Sequence, residues 1–175
     1  IVESMLENFN KDNVNVYKTY QMYRKDSLEL LKYDINRSYT NNYCIGYKLV
    51  RGAYYFKDKD KNILFNNISD THSSFDYASL LILNEMKLKD RLLLATHNEN
   101  SINSMLNLTE KNPNSRISWH SISYSQLLGM SDNLTNKLAN KKLKVYKYIP
   151  FGNFLETIPY LTRRLYENID TIKYM

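Results

Sequence analysis

The sequence predicts an α/β fold built of parallel strand–helix units, and three observations carry that prediction. Strand-like and helix-like segments alternate along the 175 residues, the signature of βα repeats. The run "RLLLATHN", Arg91 to Asn98, is compact, apolar and closed by polar residues, as in a strand buried in a parallel sheet. Polar or glycine-containing residues also recur where strands end: Arg51 to Tyr54, Thr96 to Asn98, Gln126 and Tyr148. That is the end where ligands bind in (β/α) barrels and in doubly wound sheets alike.

The elements follow in order. Residues 1–13 read as the end of a preceding helix or a linker. "VNVYKTYQMY", Val14 to Tyr23, alternates over part of its length and predicts a first strand, followed by a helix over roughly 25–38. "IGYKLVRGA", Ile45 to Ala53, predicts a second strand. A polar loop over about 57–70 leads to a helix over roughly 75–87. The third strand at Arg91 precedes a helix over roughly 101–111. Ile117 to Met130 contains a fourth strand, with a helix starting near Asp132. "KVYKYIPFG", Lys144 to Gly152, is the fifth strand, and a helix with two adjacent arginines comes after it. Three of the four glycines (Gly52, Gly129, Gly152) lie in or just beyond strand ends. They mark either close backbone approach or ordinary strand-to-helix turns.

Composition narrows the function classes. Apolar residues make up 43%, enough for a packed core. Lys and Arg outnumber Asp and Glu 24 to 18, a net charge of +6 spread along the chain. That balance suits an anionic ligand or surface without choosing one. No RNP-like or basic–aromatic strand pattern accompanies it, which argues against a nucleic-acid module. A single cysteine, Cys44, excludes an internal disulfide and a multi-cysteine metal site; it reads as a small buried apolar residue. The three histidines, at 72, 97 and 120, lack metal-ligand spacing, so no metal is expected. No run of about 18 apolar residues is present to span a bilayer.

Six stretches together resemble the proline dehydrogenases, flavin enzymes of proline catabolism. They are "TYQMY" at Thr19, "KLVRGAY" at Lys48, "ATHNENSI" at Ala95, "QLLGM" at Gln126, "VYKYIPFG" at Val145 and "PYLTRRLYEN" at Pro159. They stand in the family's order and at nearly its spacing. The resemblance implies a distorted (β/α) TIM-type barrel with FAD at the carboxyl ends of its strands, of which about five of the eight βα units are visible here. Residues 1–175 are then the carboxyl-terminal portion of that barrel, and the remaining strands come from upstream sequence or another chain.

The same resemblance assigns roles. Arg163 and Arg164 are expected to hold the substrate carboxylate, with charge-assisted bonds worth about 1.5–3 kcal/mol each. Glu167, three to four residues on, either orients one of them or makes a routine helix ion pair. Tyr148 is expected over the proline ring, with Tyr54 and Leu127 as further walls. Gln21 and Lys48 match positions near the isoalloxazine ring. Many bacterial relatives have arginine at Lys48, and lysine still offers a donor beside reduced flavin. The backbone of Val50, Arg51, Gly52 and Ala53 is expected to wrap the cofactor, and Ser69, His97 and Asn98 to contact the dinucleotide. No dedicated base for the amine proton is evident. The implied reaction converts L-proline to 1-pyrroline-5-carboxylate by hydride transfer to flavin N5, with electrons passed to a quinone. The implied setting is the mitochondrial inner-membrane surface, reached by peripheral association. The competing expectation is a non-catalytic relative serving as a subunit of a larger mitochondrial assembly.

Overall fold

A computed structural model describes residues 1–52, 61–111 and 119–167; of Lys61, Lys111, Trp119 and residues 163–167 only the backbone is described. The order of elements is α1 (Val2–Phe9), β1 (Tyr17–Gln21), α2 (Ser27–Thr40), β2 (Gly46–Val50), α3 (Ile68–Glu85), β3 (Arg91–Ala95), α4 (Glu99–Lys111), β4 (Ile122–Leu127), α5 (Asp132–Asn140), β5 (Lys144–Tyr148) and α6 (Phe154–Glu167). The five strands form one sheet in the order β1-β2-β3-β4-β5, every pair parallel. Strand order never reverses, so this sheet has no topological switch point of the doubly wound kind. The choice left open by the sequence pattern falls to the barrel-type arrangement.

Side-chain alternation divides the sheet into two faces. One face carries Tyr20, Tyr47, Leu49, Leu92, Leu94, Ile122 and Tyr124, all essentially buried. They pack in one core with Leu31 and Ile35 of α2, Phe75, Ala78 and Ile82 of α3, Ile102 and Met105 of α4, and Leu134 and Leu138 of α5. Each such side chain contributes about 1.5–3 kcal/mol by leaving water. The opposite face is half-open. Its register rows are Thr19–Lys48–Leu93–Ser123–Lys144 and Gln21–Val50–Ala95–Ser125–Tyr146, with Leu127 beside Tyr148 beyond them. Tyr17, Tyr146 and Tyr148 are exposed there.

Polar bonds fix the amino-terminal end of the sheet. Buried Asp34 of α2 accepts the Tyr20 hydroxyl at 2.8 Å and pairs with the Lys18 ammonium at 2.7 Å. Lys18 also reaches Glu3 of α1 at 3.5 Å, and Arg37 of α2 pairs with Glu7 of α1 at 2.9 Å. The fully buried Asn10 side chain donates to the Val16 carbonyl and accepts the Asn15 and Val16 N–H groups. Asp90 accepts the Ile45 and Lys87 N–H groups, both at 2.8 Å; burial pushes its carboxyl above the usual range. Cys44 is buried, its thiol pushed up by that burial.

One boundary departs clearly from the sequence reading, and one that it left open is now defined. Helix α3 begins at Ile68, inside the stretch read as loop. Residues 68–74 lack apolar spacing, yet Thr71 and Ser74 are buried there, and Asp70 suits the positive end of a helix. Helix α6 begins at Phe154, five residues before Pro159. Asn153 starts it: its side-chain oxygen accepts the Leu155 N–H at 3.1 Å.

Candidate active site

The carboxyl ends of the five strands gather most of the residues singled out in the sequence. Gln21, Lys48, Val50, Leu127 and Tyr148 come from four strands and share the half-open face. Parallel pairing causes this, because register partners in a parallel sheet point the same way. Among the polar groups on the face without a partner in the described residues, two stand out. One is the buried Gln21 Oε1. The other is the Lys48 ammonium, for which no hydrogen bond or ion pair occurs. A cavity of about 470 Å³ opens beside the end of β1, lined by Thr19, Gln21, Tyr23, Arg24 and Ser27 among others.

Behind the face, Arg51 ties three units together. Its Nε donates to His72 Nδ1 at 3.0 Å. Its terminal nitrogens donate to Thr96 Oγ1 and Ser101 Oγ. The guanidinium lies 4.0 Å from the Phe75 ring centroid, and Asp76 is 4.0 Å away. Burial lowers its pKa to about 10. The expectation for Arg51 concerned its backbone, and the sequence did not show that its side chain would bridge β2, α3 and α4. The Val50 and Arg51 carbonyls accept the Met22 and Tyr23 N–H groups at 2.8 and 2.9 Å. Those bonds tie the end of β2 to the residues that follow β1. Gly52 stands against Tyr23: a Cβ there would lie 2.9 Å from Tyr23 Cδ1. Its absence permits the close approach.

His97 and Asn98 form the turn after β3. His97 Nε2 accepts the Leu127 N–H at 3.0 Å. Burial first, and the Lys147 charge second, hold its pKa below the ordinary imidazole value. Asn98 accepts the Ser101 N–H at 3.0 Å and so starts α4. Ser69 is exposed in the first turn of α3, and the Asn67 cap makes no side-chain bond there. Helix starts of this kind offer free N–H donors to anions. After β4, Gly129 takes φ 78° in a turn that an L side chain rarely adopts. Lys147 holds that turn through the Met130 carbonyl at 2.7 Å and Asp132 at 2.6 Å.

Helix α6 crosses the carboxyl end of β5. The Tyr160 and Tyr148 ring centroids are 6.2 Å apart, tilted by 53°. The sequence reading passed over Tyr160. The available signal was its spacing: three and four residues before the adjacent arginines, on the same helical face. Ala53 and Tyr54 lie outside the described residues. Arg163, Arg164 and Glu167 lie in α6, but their side chains are outside the described set. Among the described residues, no three His, Cys, Asp or Glu side chains converge on a metal-sized site. No described helix is long and apolar enough to cross a membrane.

A parallel sheet in sequential order, with functional candidates at its carboxyl ends and helices behind it, defines an α/β barrel-type protein. The family described as proline dehydrogenase matches residues 1–174. The chain belongs to that family. It is 35% identical to "Proline dehydrogenase 1, mitochondrial" of Dictyostelium discoideum over 91% of this chain and 30% of that protein. It is 29% identical to the human protein of the same name, over 97% of this chain and 30% of that one. The chain therefore spans about a third of these curated relatives' length. Among solved structures, proline utilization A from Bdellovibrio bacteriovorus, inactivated by N-propargylglycine, superposes with a TM-score of 0.77 at 22% identity. The match covers 86% of this chain and 16% of that one, and it supports the fold.

Proposed function

We propose that this chain forms the carboxyl-terminal part of an FAD-dependent proline dehydrogenase barrel, whose other strands come from polypeptide outside these residues. The observation that carries the reading is the shared face of Gln21, Lys48, Val50, Leu127 and Tyr148. The residues present fit a flavin on two counts: the orphaned Gln21 Oε1 can accept a ring N–H, and the unpartnered Lys48 ammonium can donate to a flavin nitrogen. The free N–H groups and Ser69 hydroxyl at the start of α3 suit a phosphate or ribose. When bound, the flavin supplies the hydride acceptor N5.

The chain's own residues then bind and orient the substrate. Tyr148 and Tyr160 form an aromatic wall over the strand ends, and Leu127 closes it at the neighbouring strand. Arg163 and Arg164 stand one helical turn beyond Tyr160 and hold the proline carboxylate, with Glu167 orienting one of them. Tyr54, outside the described residues, is proposed as a further wall on the family resemblance alone. Lys48 would lie beside the bound flavin, where its charge would favour the reduced form. Proline loses a hydride and a proton and leaves as 1-pyrroline-5-carboxylate; solvent takes the proton and a quinone takes the electrons. The relatives' printed names support a mitochondrial setting; peripheral association at the inner membrane is part of the proposal.

The test is anaerobic titration of the intact purified protein with L-proline. A flavin absorbance that bleaches, and that fails to bleach in Arg163→Met or Arg164→Met, is the expected result. A protein that retains no flavin, or keeps an oxidised flavin with proline present, overturns the reading.

A further inference from the structure

We propose that His97 is a positioning residue: its neutral imidazole fixes Leu127, and with it one wall of the substrate pocket. The inference that Leu127 is such a wall rests on the proposed function above; the imidazole geometry does not.

Regular pairing of β3 with β4 ends at the Thr96 N–H, which donates to the Ser125 carbonyl at 3.1 Å. Beyond that point the Leu127 N–H points back toward the β3 side, where no backbone partner remains. His97 supplies one: Nε2 lies 3.0 Å from the Leu127 nitrogen. A backbone N–H can only donate, so Nε2 must be the acceptor and the imidazole proton must sit on Nδ1. Nδ1 makes no bond among the described residues.

The same segment is held from the other side. Leu128 donates to the Tyr148 carbonyl at 3.0 Å. Lys147 reaches the Leu127 carbonyl at 3.4 Å and the Met130 carbonyl at 2.7 Å. Gln126 donates to the Thr96 carbonyl and accepts from Thr135. Leu127 is thus suspended between β3 and β5, and His97 is its side-chain tie on the β3 side. Protonation would place an N–H against the Leu127 N–H and break the tie. The charge beside it favours the neutral ring: Lys147 from β5 repels an imidazolium. The nearby carboxylates are already committed, Asp132 of α5 to Lys147 and Glu99 of α4 to Lys137.

The experiment uses the intact protein labelled with ¹⁵N-histidine, the His97 resonances being identified by their loss in His97→Leu. The expected spectrum has an unprotonated Nε2 coupled across the hydrogen bond to the Leu127 amide, a protonated Nδ1, and a titration midpoint below about 6.5. A proton on Nε2, or an ordinary midpoint, overturns the proposal. In parallel, His97→Leu leaves the Leu127 N–H unpaired, and KM for L-proline is expected to rise about tenfold. His97→Gln places an amide oxygen near the Nε2 position and recovers most of that loss. Equal losses in both variants overturn the proposal. If the unmodified protein fails to oxidise proline, the functional reading falls, while the imidazole spectrum still decides the geometry.

Discussion

The Arg51 guanidinium lies 4.0 Å from the centroid of the Phe75 ring. That stacking, with hydrogen bonds to His72, Thr96 and Ser101, makes one side chain the joint between α3, β3 and α4. Replacing it by Met keeps some packing but strips three acceptors of their donor. Arg51→Met is expected to cost about 1–3 kcal/mol, read as a lowered midpoint in chemical denaturation. An unchanged midpoint contradicts the role given to it.

The Lys18–Asp34–Tyr20 cluster behaves differently, because it buries a charge pair. Asp34 is fully buried and the Lys18 side chain is 11% exposed. Asp34→Ala leaves the ammonium only its 3.5 Å contact with Glu3 and the Tyr20 hydroxyl unpaired, a loss of up to about 3–5 kcal/mol. Replacing Lys18 and Asp34 jointly by Met and Leu is expected to be milder than Asp34→Ala alone, since no charge is left behind. The comparison is made by thermal melting of the two variants beside the unmodified protein; equal destabilisation argues against the account.

Tyr148 and Tyr160 are expected to be coupled. Their rings meet at 6.2 Å, a geometry worth about 0.5–1.5 kcal/mol beyond burial. A double-mutant cycle with Tyr148→Leu and Tyr160→Leu, read as KM for L-proline, should show a coupling of that size. Additive losses disprove a joint wall.

Acidification tests the histidines. Burial lowers the pKa of His97 and of His72, helped by Lys147 and Arg51 respectively. The unfolded chain therefore binds protons first as pH falls through about 6.5. Stability contributed by the two neutral rings is complete above that pH and declines as pH drops toward their lower folded values. Asp90, its carboxyl raised by burial, works in the opposite sense. The check is the denaturation midpoint at about pH 7.5 and about pH 5.5, compared with a His72→Gln, His97→Gln double variant. A fall shallower in the double variant is expected; identical falls refute it.

The fold was readable because its signals are local. "RLLLA" announced a buried strand, and "KLVRG" and "KVYKY" placed β2 and β5 to within a few residues. The start of α3 was missed because its first two turns bury threonine and serine, which give no apolar period. The site was legible as far as motifs reached it. Lys48, Leu127 and Tyr148 were named from short patterns, and pairing register put them on one face. The side-chain partnership of Arg51 with Ser101 spans 50 residues, and that of His97 with Leu127 spans 30. Such pairings are decided by packing, and nothing near either residue encodes them. Cys44 was read as a buried small residue, and it is buried.

Sequential strand order carries a consequence for how the chain assembles. Each described strand binds its immediate predecessor, β2 to β1, β3 to β2 and onward. The polar ties run between adjoining units as well, Cys44 to Asn10 and Ile45 to Asp90. As a nascent chain leaves the ribosome, every new unit therefore finds its docking surface already made. Growth is vectorial, while each parallel pairing still waits for its crossover helix, as Gly46 waits for Arg91, a non-local closure that slows folding.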